Sequence, residues 1–71
     1  MATIRIFGKD SCPYTTSARQ AYAKQGFIVD YVNVRADPDR LPEMLAHSGG
    51  RRAVPVIVAD DGKVTIGYGG T

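Results

Sequence analysis

Two runs of strand-forming residues enclose one helical run near the N-terminus. That arrangement narrows the folds open to this chain more than any other feature. Thr3 to Phe7 alternates polar and apolar residues, with Ile4 and Ile6 on one face, as a strand does. Phe27 to Val34 is rich in β-branched and aromatic residues and reads as a second strand. Between them, Pro13 suits the first helical position, where its missing N–H costs nothing. Ala18, Ala21, Tyr22 and Gln25 follow at helical spacing, and Gly26 is a good stop. A strand, a helix of this length and a second strand make a βαβ unit, with parallel strands and a right-handed crossover.

The second half adds a different pattern. Asp37 to His47 reads as a helix with Leu41, Met44 and Leu45 on its apolar stripe. Pro42 would break a helix interior, so the regular helix is expected to begin near Asp39, with Pro42 in its first turn. Gly49-Gly50 ends it. Val54 to Ala59 is a continuous apolar run, expected to be a strand buried on both faces. Asp60-Asp61-Gly62 is a turn signal and Lys63 to Ile66 a short strand, so the two should pair as an antiparallel hairpin. The order β-α-β-α-β-β predicts an α/β fold on a four-stranded mixed sheet. No repeat, low-complexity stretch or linker divides the 71 residues, which are expected to form one domain over 1–71.

The charge balance excludes one class of partner. Nine basic against seven acidic residues give a net +2, and Arg51-Arg52 is the only adjacent basic pair, so nucleic acid is not indicated. A single cysteine forbids an internal disulfide, whereas small secreted domains usually carry several. The N-terminus shows neither a signal-peptide pattern nor a membrane span. The expected compartment is a reducing cytoplasm.

That cysteine, Cys12, falls between the first strand and the first helix, at or beside the N-cap. Free N–H groups and the dipole of a helix N-terminus stabilise an anion, and the thiolate is the reactive form of cysteine. A lowered thiol pKa is therefore expected, with Lys9 adding positive charge three residues upstream. Two further segments stand out. In Arg51-Arg52-Ala53-Val54-Pro55, the proline before a buried strand is either an ordinary trans proline at a strand start or, taken together with Cys12 at the other junction, part of a cis Val54-Pro55 bond. Such a bond would leave the Val54 N–H and C=O free to pair with an extended peptide. In Gly67-Tyr68-Gly69-Gly70-Thr71, the glycines allow close approach of backbone to a ligand. Tyr22 and Phe27 are expected in the core. His47, near a helix C-terminus, is expected to be structural or solvated.

With these residues in order and at these spacings, the chain resembles the glutaredoxins over nearly its whole length. The resemblance rests on Lys9-x-x-Cys12-Pro13-Tyr14, on Val54-Pro55 before a buried strand, and on the late glycine pair. It implies a thioredoxin-like fold and a thiol–disulfide oxidoreductase with glutathione as co-substrate and no metal. Cys12 would be the nucleophile, with Tyr14 flanking the sulfur and Thr15 one turn above it. Lys9 and Arg51 or Arg52 would face the glycine carboxylate of glutathione. Val54 would pair through its backbone with the cysteinyl part, before cis Pro55, and Gly70 and Thr71 would approach the γ-glutamyl end. The partners implied are glutathione and glutathionylated or disulfide-containing proteins.

The chain departs from the family pattern in two places. Thr15 stands where the dithiol motif has its second cysteine, so a monothiol cycle through Cys12 is what the resemblance leaves open. The last helix of the family would begin where this sequence ends; either something else covers that face or the natural protein is longer, and an uncovered apolar sheet face would favour self-association, so a monomer or a weak homodimer is expected. Some small relatives of the glutaredoxins carry selenocysteine at the nucleophile position. Two other readings use the same residues. One is an iron–sulfur carrier, in which two chains and two glutathiones supply four thiolates. The other is a non-catalytic adaptor that binds peptide along Val54.

Overall fold

The computed structural model describes residues 2–68. β1 (Thr3–Gly8) leads into α1 (Pro13–Lys24), and β2 (Ile28–Asn33) follows. A 3₁₀ turn (Pro38–Arg40) runs into α2 (Leu41–Ser48), and the chain closes with the short strands β3 (Val56–Val58) and β4 (Val64–Ile66). The sheet order is β2-β1-β3-β4. β1 and β2 are parallel, from Thr3 opposite Ile28 to Gly8 opposite Asn33. β1 and β3 are antiparallel, with Phe7 opposite Val56, and β3 and β4 are antiparallel, with Val56 opposite Ile66. The mixed four-stranded sheet expected from the sequence is thus present, with β1 in its interior.

Alternation along β1 divides the core into two layers. Ile4 and Ile6 point to one face and pack with Ala18 of α1 and Ile57 of β3, while Tyr22, Phe27, Val29 and Tyr68 close the edges. Phe7 points to the other face and packs with Val32, Met44 of α2 and Val56. Leu41 and Leu45 flank that cluster, so the apolar stripe of α2 is used as its spacing predicted. Each fully buried aliphatic or aromatic side chain contributes on the order of 1.5–3 kcal/mol. On the α1 face Tyr68 packs against the cluster that includes Ile57, and the residue paired with Ile57 on β4 is the polar Thr65.

Several boundaries differ from the sequence expectation. Regular α2 begins at Leu41 rather than near Asp39, because the segment Pro38–Arg40 closes as a 3₁₀ turn, with Arg40 N–H donating to Asp37 C=O. Pro42 does lie in the first turn. The strand expected over Val54–Ala59 shrinks to Val56–Val58. Pro55 has no N–H for the ladder, and at the other end Ala59 N–H is drawn to Lys63 C=O to close the hairpin. β2 loses Phe27, whose N–H bonds back to Tyr22 C=O at the end of α1. Gly26, Gly49 and Gly62 stop α1, stop α2 and turn the hairpin at positive φ of 95°, 68° and 89°.

Candidate active site

β1 delivers the chain to the site. After Gly8 a tight turn forms, in which Cys12 N–H donates to Lys9 C=O at 3.2 Å. Cys12 is the N-cap of α1, with extended backbone at φ −94° and ψ 112°. Its C=O accepts the first helical bond, from Thr16 N–H at 3.3 Å. No side chain caps the helix and the first turn holds no acidic residue. The first-turn donors are therefore left to the sulfur, which is what the sequence position predicted.

The thiol is 8% exposed. Burial pushes its pKa up. The Thr15 hydroxyl, the Thr15 and Tyr14 N–H groups and the Lys9 charge pull it down by more, so the net result lies below the ordinary thiol value. Thr15 is fully buried, and its Oγ1 meets no partner at standard hydrogen-bond geometry among the described residues. It nonetheless heads the influences that lower the pKa. The contact is thus looser than a full hydrogen bond, and negative charge on the sulfur would strengthen it. Gly8 shapes this arrangement from beneath. A Cβ at Gly8 would overlap the Thr15 side chain, so only glycine lets the end of β1 pass under the first turn of α1.

The sheet register brings the second segment to the same place. Phe7 lies opposite Val56 in an antiparallel pair, so the residues before Val56 continue past the end of β1 from which Cys12 departs. The Val54-Pro55 bond is cis, as the sequence suggested. Pro55 is buried and Val54 half-buried, and among the described residues neither the N–H nor the C=O of Val54 has a hydrogen-bond partner. Pro55 C=O accepts from Gly67 N–H at 2.7 Å, which ties the segment after β4 to the same end. Ser48, buried at the end of α2, donates to Arg51 C=O at 2.6 Å and sets the course of the connecting loop.

Lys9, Cys12, Tyr14 and Thr15 therefore gather around the sulfur, and Val54 and Pro55 share their end of the sheet. Tyr14, 40% exposed, acts on the thiol through its backbone N–H. Arg51 and Arg52 are exposed and form no ion pair among the described residues, and nothing draws either onto the sulfur. Gly70 and Thr71 lie outside the described residues. His47 is exposed, its ring 5.8 Å from that of Phe7.

Sequence reasoning missed one group beside the thiol. Tyr31 of β2 donates its hydroxyl to Asp10 Oδ1 at 2.8 Å. The Arg19 guanidinium of α1 lies 3.8 Å from the centre of the Tyr31 ring and its Nη1 is 3.9 Å from Asp10 Oδ1. Burial, then the bond to Asp10, then the charges of Asp10 and Cys12 push the Tyr31 pKa up to about 12, against a smaller opposing pull from Arg19. The only available signal was period-two alternation, which puts Tyr31 on the α1 face of β2. Nothing in the sequence spacing joins residues 10, 19 and 31.

Among the described residues no three His, Cys, Asp or Glu side chains cluster as metal ligands, and no helix is long and apolar enough to cross a membrane. A family model described as Glutaredoxin matches residues 4–64. The chain belongs to the glutaredoxin family. It is a thiol–disulfide oxidoreductase by that membership, with a thioredoxin-like fold. This glutaredoxin superposes on the glutaredoxin (grx-1) of Archaeoglobus fulgidus with a TM-score of 0.79 at 22% identity, covering 97% of this chain and 78% of that one. NrdH-redoxin of Escherichia coli, a glutaredoxin-like protein with a thioredoxin-like activity profile, gives 0.76 at 24% identity over 94% of this chain and 84% of that one. At these identities the two structures speak for the fold. A comparison with curated proteins found no match.

Proposed function

We propose that the chain is a glutathione-dependent monothiol oxidoreductase that removes glutathione from mixed disulfides through Cys12. The observation that carries this reading is a sole cysteine at the N-cap of α1, its pKa held below the ordinary thiol value. In the first step the Cys12 thiolate attacks the glutathione sulfur of a protein–glutathione disulfide. The protein thiolate leaves, and Cys12 carries the glutathione. In the second step a glutathione thiolate attacks that adduct at the glutathione sulfur, and oxidised glutathione departs with the Cys12 thiolate as leaving group. A lowered pKa helps both steps, since it raises the thiolate fraction at neutral pH and makes Cys12 a better leaving group. Electrons balance as one disulfide exchanged for another: the protein sulfur is reduced to a thiol, one glutathione thiol is oxidised, and the substrate's own glutathione becomes the other half of oxidised glutathione.

The surroundings fit an extended γ-glutamyl peptide. The Val54 N–H and C=O, without partners among the described residues, suit backbone pairing with the cysteinyl unit, as a peptide does on a sheet edge. Lys9, Arg51 and Arg52 suit a terminal carboxylate, and Tyr14 and Thr15 flank the sulfur. Gly70 and Thr71 are assigned to the γ-glutamyl end on the family resemblance. The partners that follow are glutathione and glutathionylated proteins in a reducing compartment. The test is intact mass during incubation with oxidised glutathione, with Cys12→Ser as control. A single glutathione adduct, absent in the variant and removed by reduced glutathione, is expected. A free Cys12 that takes no adduct would move the reading to a different reductant.

A further inference from the structure

The loop after β2 leaves the sheet beside the loop that carries Cys12. Gly8 lies opposite Asn33, and Val34 N–H donates to Gly8 C=O at 2.9 Å. Between the two loops opens a cleft of about 390 Å³. Asp10 and Ser11 line one wall, and Asn33, Arg35 and Ala36 line the other. Ser11 is the neighbour of Cys12 in the chain. The Arg35 wall is held in shape by Asn33. Its Oδ1 accepts from Arg35 N–H at 3.1 Å and from Ala36 N–H at 3.0 Å, and its C=O accepts from Asp37 N–H at 2.9 Å. The two charges on the cleft are not equally available. The Asp10 carboxylate accepts from the Tyr31 hydroxyl at 2.8 Å and has Arg19 Nη1 at 3.9 Å. The Arg35 side chain is exposed and forms no ion pair among the described residues.

We propose that Arg35 is a specificity-determining residue: the cleft receives an acidic side chain of the disulfide-bearing partner, an aspartate or glutamate close to the cysteine that Cys12 attacks. A guanidinium keeps its charge at any physiological pH and takes a carboxylate through two parallel N–H···O bonds. The sheet order sets the sides. Val54 precedes β3, on one side of β1, and the cleft lies towards β2, on the other. A partner whose backbone meets Val54 therefore leaves the cleft open to the side chain of a nearby residue. Neighbouring strands lie ~4.8 Å apart and extended chain advances ~3.3 Å per residue, so a residue about two positions from the reacting cysteine spans the distance. A lysine or arginine there would meet Arg35 as a like charge, which discriminates against that partner.

The inference rests on Cys12 as the nucleophile and not on glutathione, so its test leaves glutathione out. Short peptides carry one cysteine in mixed disulfide with thionitrobenzoate, with Asp or Lys placed two residues away on both sides. The Cys12 thiolate attacks the peptide sulfur, the bond to thionitrobenzoate breaks, and the coloured thionitrobenzoate anion leaves with the electron pair. The quantity read is the rate constant for the Asp peptide over that for the Lys peptide, divided by the same ratio for free mercaptoethanol. It cancels the reactivity of the thiol and of the peptide disulfides themselves. Wild type should favour the Asp peptide. Arg35→Gln should lower the ratio about two- to fivefold, the range of one exposed ion pair. Arg35→Glu should lower it further and should react with the Lys peptide faster than wild type does, whereas Arg35→Lys should keep part of the preference. Lys24→Gln removes an exposed cation in the last turn of α1 and should leave the ratio unchanged. A ratio that Arg35→Gln does not lower would overturn the proposal. A ratio that Lys24→Gln lowers as much would overturn it too, because net charge alone would then explain the preference. Release of thionitrobenzoate by mercaptoethanol but by no form of the protein would overturn Cys12 as nucleophile and this proposal with it. Release without dependence on Arg35 would overturn the proposal alone.

Discussion

Thr15 occupies the position where a second thiol would end the dithiol motif, and its hydroxyl contributes in a different way. It sits wholly buried against Gly8 with no full hydrogen bond, and it favours the charged sulfur over the neutral one. Thr15→Val keeps the shape and removes the donor. Alkylation of Cys12 at neutral pH should slow by about three- to tenfold, since hydrogen bonds to charged groups are worth more than neutral ones. Stability should hold or rise, because the variant no longer buries an unpaired hydroxyl. A rate constant and a melting curve on the same sample check both halves. The thiol itself links pH to folding. Its folded pKa lies below its unfolded value, so ionisation favours the folded state. That gain is fully present above the ordinary thiol pKa and is lost as pH falls through the folded value. Wild type should therefore gain stability over Cys12→Ser on going from mildly acidic to alkaline pH, read as the difference in denaturant midpoints. Tyr31 has the opposite sign. Its pKa is raised to about 12, so its contribution is complete below the ordinary phenol value and fades as pH climbs towards 12.

At the scale of elements, contacts between segment ends decide the geometry of the site. Gly8→Ala would drive a methyl group into Thr15 and push the first turn of α1 away from β1. Overpacking of this kind costs about 1–3 kcal/mol, and here it should also raise the Cys12 pKa, because the donors of the first turn move with the helix. Denaturant unfolding and the alkylation profile should shift together. Ser48→Ala leaves the Arg51 C=O without its partner and should cost about 1 kcal/mol, the usual worth of one hydrogen bond. These contacts also explain what could be read from the sequence. The βαβ start, the N-cap position of Cys12, the Pro42 turn and the Asp60–Gly62 hairpin rest on local chemistry, and all were legible. So was the cis Val54-Pro55 bond, though only once Pro55 was read together with Cys12 at the strand–helix junction, since the proline alone fits an ordinary trans strand start. The extent of β3 was not legible, since it depends on which N–H groups the hairpin claims. The Tyr31, Asp10 and Arg19 group was not legible either. It joins β2, a loop and α1 across a parallel register that no spacing in the sequence encodes. The burial of Thr15 against Gly8 belongs to the same class of contacts between distant surfaces.

For the whole molecule, β1 is the common support. It is flanked by β2 and β3, and it places Ile4 and Ile6 in one core layer and Phe7 in the other. A domain of this size has a total stability of about 4–10 kcal/mol. Replacing Phe7 by Ala should remove about 3–5 kcal/mol, a large part of that total, and lower the denaturant midpoint accordingly, as unfolding followed by far-ultraviolet circular dichroism would report. A central β1 also bears on motion. The segment holding Cys12 leaves directly from β1, that holding Val54 enters the strand paired to it, and Gly67 is hydrogen-bonded to Pro55 one strand further out. The reactive end therefore hangs from the strand least free to fray. Small local openings of the outer strands can admit solvent or a substrate without disturbing the sulfur. A displacement of the sulfur itself would require opening close to the global unfolding event. The thiol thus works as a fixed point, and adaptation to different disulfides falls to the exposed loops around it.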